Sequence, residues 1–336
     1  MSSVFIIAEL SANHNGSLET AKETIRAMKA SGADAVKLQT YTPDTITIDC
    51  DNEFFTLKQG TVWDGKKFYD LYAEAMTPWE WHAELFSLAR SLGMEVFSSP
   101  FDKSAVDFLE ELRPYAYKIA SFEITDTPLI EYAAKKGRPM IISTGVASLS
   151  DIELAIETCK KADNDDITLL KCTSSYPAPL EEMNLSTIAD MKSRFGCKVG
   201  LSDHSMSIAA PVAAVALGAQ VVEKHFILDR GMGGADSSFS LEPSEFADMV
   251  KAVRDAEKLV GKTTYELSEK GKKSREFARS LFVAEDVKEG EELTEKNIRS
   301  VRPGFGLHPK YLCEILGKKA SREIKKGEPL EWSMIK

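Results

Sequence analysis

Lys198-Val-Gly-Leu-Ser-Asp-His204 and Gln220-Val-Val-Glu-Lys-His225 stand on either side of a helical stretch, Ile208–Leu217, that ends at Gly218. Each apolar run is short and passes directly into a polar cluster, as a strand buried on both faces does at its functional end. The same unit recurs along the chain. Strand-like runs occur at Val4–Ala8, Ala35–Leu38, Glu95–Phe97, Ala116–Ile119, Met140–Ile142, Thr168–Leu170, Lys198–Leu201 and Gln220–Glu223. Helical patterns follow at Leu18–Ala30, Pro78–Leu92, Ala105–Leu112, Leu129–Lys136, Ser150–Ala162, Leu185–Phe195, Ile208–Leu217 and Pro243–Val260. Pro78 and Pro243 suit a first helical turn, where a missing N–H costs nothing. Gly32, Gly93, Gly137, Gly196, Gly218 and Gly261 follow helices, as C-terminal caps do. Eight strand–helix units predict an α/β fold, a (β/α)8 TIM barrel over residues 1–261. A doubly wound open sheet is the alternative. The barrel is favoured because no GxGxxG turn occurs and a polar cluster follows every strand.

Beyond Gly261 the pattern changes. Residues 262–278 are polar and basic and read as a linker. Asp286-Val-Lys-Glu-Gly-Glu-Glu-Leu293 then resembles Glu323-Ile-Lys-Lys-Gly-Glu-Pro-Leu330, and both read as strand, glycine turn, strand. Residues 279–336 are therefore expected to form a small β domain. Charge divides at the same place: residues 262–336 hold 17 basic and 13 acidic residues, although the whole chain carries −10. The acidic total argues against non-specific nucleic-acid binding. No apolar run approaches the 18 or so residues of a membrane span, and no basic segment with an apolar core opens the chain. Five cysteines without a CxxC motif read as reduced thiols, and a cytoplasmic location is expected. The long loop Thr40–Thr77 carries Tyr41, Trp63, Phe68, Tyr69 and Tyr72 and is expected to fold over something, without strong helix or strand of its own.

In such a barrel the strand ends share one site. They bring Glu9, Lys37, Gln39, Ser99, Lys118, Ser121, Glu123, Ser143, Ser174, Tyr176, His204 and His225 to one rim. His204 and His225 end adjacent strands, which suits either a hard or borderline divalent metal completed by oxygens, or acid–base and structural roles. Cys172 is expected to pack within the barrel. Lys37 and Lys118 among seryl hydroxyls suit a phosphate with a carboxylate; a Schiff-base lysine is the competing reading. Glu9 and Glu123 are each either an ion-pair partner or a general acid–base.

Seven ordered motifs carry a resemblance. Ala8-Glu-Leu-Ser-Ala-Asn-His-Asn-Gly16, Val36-Lys-Leu-Gln39, Tyr117-Lys-Ile-Ala-Ser-Phe-Glu123, Ser143-Thr-Gly145, Cys172-Thr-Ser-Ser-Tyr-Pro177, Gly200-Leu-Ser-Asp-His204 and Glu223-Lys-His-Phe226 resemble the sialic acid synthase family. Arg302-Pro-Gly-Phe-Gly306 resembles its C-terminal antifreeze-like (SAF) β-clip domain. The resemblance implies a homodimer in which each small domain caps the partner's barrel. It also implies condensation of phosphoenolpyruvate with an N-acetylated amino sugar. On this reading Lys37, Ser99, Lys118, Ser121, Ser143 and Ser174 bind phosphoenolpyruvate. Gln39, Tyr176, Asp236 and Arg302 contact the sugar, Arg302 from the neighbouring subunit. His204 and His225 hold a divalent metal (Mn2+, Mg2+ or Co2+), and Glu9 and Glu123 serve proton transfer and water attack.

Phe122 and Phe305 stand where neuraminate-forming members have Gly and Asn. With the Gln39–Thr45, Trp63–Gly65 and Thr77–Trp81 segments, they make the chain most similar to the pseudaminic acid synthase branch. Its sugar would be 2,4-diacetamido-2,4,6-trideoxy-L-altrose. Neuraminate or legionaminate synthesis is the alternative within the class. A lysine aldolase and a non-catalytic carbohydrate-binding protein are the alternatives outside it.

Overall fold

The structure, a computed structural model, describes residues 3–58 and 63–336. Residues 59–62 of the long loop lie outside the described residues. The chain divides into two compact units, Met1–Gly261 and Lys262–Lys336.

The first unit is a closed, all-parallel barrel of eight strands in sequence order. They are β1 Phe5–Glu9, β2 Ala35–Thr40, β3 Glu95–Pro100, β4 Tyr117–Ile119, β5 Met140–Ser143, β6 Ile167–Cys172, β7 Lys198–Asp203 and β8 Val221–His225. β8 closes on β1 in a register that sets Glu9 beside His225, while Glu9 also faces Lys37 on β2. Several strands run two or three residues beyond the apolar runs, because polar side chains at the mouth remain inside the ladder. β3, read as three residues, reaches Pro100 for this reason.

Local chemistry explains where the helices begin and end. Ser17, Asp102, Asp126 and Ser148 accept backbone N–H bonds at the starts of Leu18–Ala30, Lys103–Glu111, Thr127–Ala134 and Leu149–Lys161. Pro243 occupies the first turn of Pro243–Val260, whereas Pro78 sits one step earlier, as the N-cap of Trp79–Ser91. All six glycines anticipated after helices have positive φ, from 52° to 102°, a region that side chains with a Cβ resist.

Apolar burial occurs in two shells. Outward strand residues such as Ile6, Val36 and Val222 pack against helical Ile25, Phe86 and Met249. A smaller cluster of Ile7, Ala35, Phe97, Ala116, Ile141, Leu170 and Val221 plugs the barrel interior. At about 1.5–3 kcal/mol for each large apolar side chain removed from water, these shells supply most of the favourable folding energy.

The long loop departs from the expectation. It contains the short helices Pro43–Ile46 and Phe68–Ala75 and a 3-10 turn, Glu53–Phe55. Phe68–Ala75 is too short to display a clear helical period.

The second unit has its own core of Leu281, Val283, Val287, Leu293, Ile298, Ile324 and Leu330. β9 Ser280–Val283 and β10 Ile298–Val301 pair antiparallel. Two expectations need correction. The stretch read as linker contains the helix Glu269–Arg275. The repeated segments are not independent hairpins: they bridge each other, Val287 to Ile324. Each does keep a left-handed glycine at its turn, Gly290 and Gly327. Among the described residues, no helix is long and apolar enough to cross a membrane.

Candidate active site

Side chains on a strand alternate between faces, so the residue two beyond each apolar plug position also points inward. Ile7 leads to Glu9, Ala35 to Lys37, Ala116 to Lys118, Ile141 to Ser143, Leu170 to Cys172, and Val221 to Glu223 and His225. The layer above the plug is therefore charged. It opens into a cavity of about 710 Å³, within the range of small-molecule sites.

Four buried charges form its floor. Glu223 Oε1 accepts from Lys118 Nζ, Lys37 Nζ and Ser202 Oγ, each at 2.9 Å. Lys37 Nζ also lies 2.9 Å from Glu9 Oε2. Gln39 donates to the other oxygen of Glu9 at 3.1 Å. Burial opposes both carboxylate charges, but the lysines hold Glu223 far below the usual carboxylate range. His225 and Lys37 likewise hold Glu9 low. Against its own burial, the Lys37 ammonium is stabilised by Glu223 and Glu9, while burial pulls Lys118 down. Both lysines are thus paired with carboxylates on the floor, and Glu9 takes the ion-pair arrangement that was one of its two readings.

The two imidazoles meet above this floor with ring centroids 5.3 Å apart. His204 Nδ1 lies 3.1 Å from Thr173 O and 3.8 Å from Cys172 Sγ. A carbonyl partner requires Nδ1 to donate, which leaves Nε2 of the neutral ring with its lone pair free. His225 Nε2 is 3.3 Å from Glu9 Oε2, and its Nδ1 is buried without a hydrogen-bond partner. Burial depresses the His225 pKa. His204 is raised because the neighbouring Cys172 outweighs its burial. Cys172 does not merely pack within the barrel: it lines the cavity. Burial would raise its thiol, but His204 pulls it down to about 7. Among the described residues, no group of three or more His, Cys, Asp or Glu side chains is placed to hold a metal. Two nitrogen donors completed by substrate and water oxygens are what the donor set offers a hard or borderline cation.

A hydroxyl cradle faces the lysines. Gly145 N donates to Ser121 Oγ at 3.1 Å. A Cβ on Gly145 would lie 2.1 Å from Ser174 Oγ and 2.8 Å from Ser121 Oγ, so only glycine allows these groups to converge. Ser143 Oγ, Glu223 Oε2 and Glu123 Oε2 are buried cavity-lining atoms with no hydrogen-bond partner. Buried polar atoms are rarely left unpaired, and several around one cavity point to a polar ligand. Glu123 follows β4 on the turn Ser121–Glu123. Burial raises its carboxyl to about 7, in contrast to Glu9.

The Asn13-His14-Asn15 segment after β1 is a brace. Asn13 Nδ2 donates to Phe226 O and Ser240 Oγ at 3.0 and 2.8 Å, and Asn15 Nδ2 to Met232 O and Gly233 O. These bonds fasten the loop after β8, whose Asp236 accepts from Ala12 N at 3.2 Å and enters the cavity. Tyr176 and Phe239 flank the imidazoles. Tyr41, Leu57, Phe68, Leu71 and Tyr72 form an apolar wall, joined by Trp63, whose indole donates to Ala235 O. Tyr69 does not join it and bonds Asp44 instead.

Most of the anticipated site residues meet here: Glu9, Lys37, Gln39, Lys118, Ser121, Glu123, Ser143, Ser174, Tyr176, His204, His225 and Asp236 all line the cavity. Ser99 does not, although its Oγ is buried and unpartnered. Arg302 is exposed in the second unit, directly after β10. Sequence reasoning assigned no role to Glu223 or Ser202. Period-two spacing from His225 was the available signal for Glu223.

Known proteins match along nearly the whole chain. The chain is 52% identical over 328 residues to a pseudaminic acid synthase of Campylobacter jejuni subsp. jejuni serotype O:2, covering 98% of this chain and 95% of that protein. It is 49% identical to a pseudaminic acid synthase of Helicobacter pylori, covering 97% and 96%. The crystal structure of an N-acetylneuraminic acid synthetase from Leptospira borgpetersenii in complex with citrate superposes with a TM-score of 0.73 at 33% identity, over 81% of this chain and 90% of that one. The SAF domain profile matches residues 278–336, the NeuB family profile matches residues 24–265, and the chain belongs to the NeuB family of sialic-acid-type synthases.

Proposed function

We propose that the protein is a pseudaminic acid synthase. It would condense phosphoenolpyruvate with 2,4-diacetamido-2,4,6-trideoxy-L-altrose to give the nine-carbon acid pseudaminate and phosphate. The relatives at about half identity support the substrate pair. The single structural observation carrying the reading is the set of seryl hydroxyls converging at Gly145, in a cavity that also holds two buried lysines and is large enough for both substrates.

In this reading the Ser121, Ser143 and Ser174 hydroxyls and the two ammonium groups receive phosphate and carboxylate oxygens, with Gly145 N–H holding Ser121 in place. Glu223 bonds both lysines and holds them in place, which opposes Schiff-base chemistry. The enol carbon attacks the open-chain aldehyde of the sugar, and the new alkoxide takes up a proton. Water then adds at C2, and phosphate leaves with its bridging oxygen by C–O cleavage. Glu123, near neutrality and with one oxygen unpartnered, is the group suited to move these protons. Glu9, tied to Lys37 and Gln39, acts as an ion-pair partner. Gln39, Tyr176 and Asp236 are placed to contact the sugar. A divalent ion, Mn2+, Mg2+ or Co2+, fits His204 and His225, given the free nitrogen on each ring, and would polarise the aldehyde as a Lewis acid.

The finer assignments follow the same reading. The working unit is a homodimer, and Arg302 of one chain reaches the sugar in the cavity of a second copy. The basic second unit and the acidic first one support this pairing. Free thiols at all five cysteines suit a cytoplasmic location.

Phosphate release is the test. Purified protein with phosphoenolpyruvate and a divalent metal is given N-acetylmannosamine, 2,4-diacetamido-2,4,6-trideoxymannose or the altro isomer, and only the last should react well. In ¹⁸O-water the label should enter the keto acid. Label in released phosphate would refute C–O cleavage. Borohydride with pyruvate should leave the chain unmodified.

A further inference from the structure

One buried ion pair takes no part in this chemistry. Lys224 and Asp203 face each other in the β7–β8 register, and both side chains are fully buried. Each immediately precedes one of the imidazoles in sequence. Neither lines the cavity, because alternation turns them to the opposite face of the sheet.

Their bonds converge on one turn. Lys224 Nζ lies 2.7 Å from Asp203 Oδ2 and also donates to Ser205 O. Asp203 Oδ1 accepts from Ser205 N at 2.8 Å. Both polar groups of the Ser205 backbone are therefore held by the pair. The chain is clamped on either side of His204: at Asp203 by the strand ladder and at Ser205 by the ion pair. From the other side, Ala178 N donates to His204 O. β8 carries the same clamp to the second imidazole, since Lys224 is bonded to His225.

Burying two charges is costly, and an apolar pair of similar volume often serves stability as well or better. The geometry here shows what the charges do that an apolar pair would not. They bond backbone atoms of the His204 turn. We propose that the Lys224–Asp203 pair is a positioning device: it fixes the separation and aim of the His204 and His225 rings across the β7–β8 seam. The inference rests on the reading of those rings as metal ligands. Ligand sets tolerate about 0.5 Å of misplacement, so a slack Ser205 turn would weaken the site without touching it.

The test uses the full-length protein, with Lys224→Met and the charge-free double variant Asp203→Asn/Lys224→Met. Free Mn2+ is counted by electron paramagnetic resonance in the absence of substrates. Both variants should bind Mn2+ at least about tenfold more weakly than the parent, the effect typical of losing an outer-shell partner. Their kcat should fall while the KM for phosphoenolpyruvate stays near that of the parent. If Lys224→Met does not fold, the double variant, with no stranded charge, decides. Cooperative unfolding together with Mn2+ affinity within about twofold of the parent overturns the inference. A parent that takes up no Mn2+ overturns the metal reading. The two failures separate in a crystal structure of the double variant: an unchanged 5.3 Å ring separation, with His204 still on Thr173 O, overturns the positioning role whatever the parent binds.

Discussion

Two layers of the same barrel, one strand repeat apart, have opposite chemistry. The lower layer holds Ile7, Phe97, Ile141, Leu170 and Val221, packed against one another. The upper holds Glu9, Lys37, Lys118, Glu223 and the two imidazoles, equally buried but polar and ionisable. The lower layer gains free energy from every atom removed from water. The upper one loses it by desolvation and recovers it through ion pairs of 2.9 Å. The upper layer is therefore held by its mutual pairing and the lower by burial alone. Mutations in the two layers should separate stability from activity.

The lower layer should give the largest change in stability. Phe97→Ala should cost about 3–5 kcal/mol, read as a shifted urea midpoint, with kcat per folded molecule unchanged. A fall in kcat matching the fall in stability would break the division. His225→Ala should behave in the opposite way. Phosphate release should drop by about 10²–10³-fold or more, while the thermal midpoint stays within a few degrees of the parent. Substantial metal-dependent turnover in that variant would overturn the proposal that His225 is a metal ligand.

Gly145→Ala forces a methyl against Ser174 and Ser121, at 2.1 and 2.8 Å. Overpacking of this kind costs about 1–3 kcal/mol. Here it should raise the KM for phosphoenolpyruvate more than that for the sugar.

A pH-dependent effect on stability should come from Glu123. Its carboxyl titrates near 7 in the fold against a reference of 4.5, so between those values the native state holds a proton that the unfolded chain has released. Stability should therefore fall as pH rises from 4.5 to 7 and level off above it. The slope is at most about 1.4 kcal/mol per pH unit, lessened by partial exposure. Glu123→Gln should flatten this part of the curve. An identical profile in the variant would show that Glu123 titrates normally.

Much of the architecture was legible from local signals. Apolar runs located every barrel strand, caps and glycines bounded the helices, and the polar residues after each run named most of the cavity's floor. Legibility failed where partners come from distant segments. Lys37 and Lys118 look alike as sequence, each a lysine between apolar neighbours, and nothing local reveals that Glu223 neutralises both. Cys172 reads as an apolar core residue until the loop after β7 brings His204 beside it. The repeated segments at 286–293 and 323–330 read as two hairpins because each has the correct turn, yet Val287 bridges Ile324 across them, and Glu292 and Pro329 bridge Lys319 and Phe282 outside them.

The sequence by itself determined the barrel, its eight-fold order and the residues at its mouth, because backbone periodicity and turn chemistry act over a few residues. Tertiary structure alone decided how those residues pair and which way their ionisation is pushed. Barrel closure sets Glu9 of β1 beside His225 of β8, on segments more than two hundred residues apart. Burial then makes Coulomb and desolvation terms large enough to hold Glu9 ionised and Glu123 near neutrality. Such energies depend on distance and exposure in three dimensions, and the order of residues along the chain records neither.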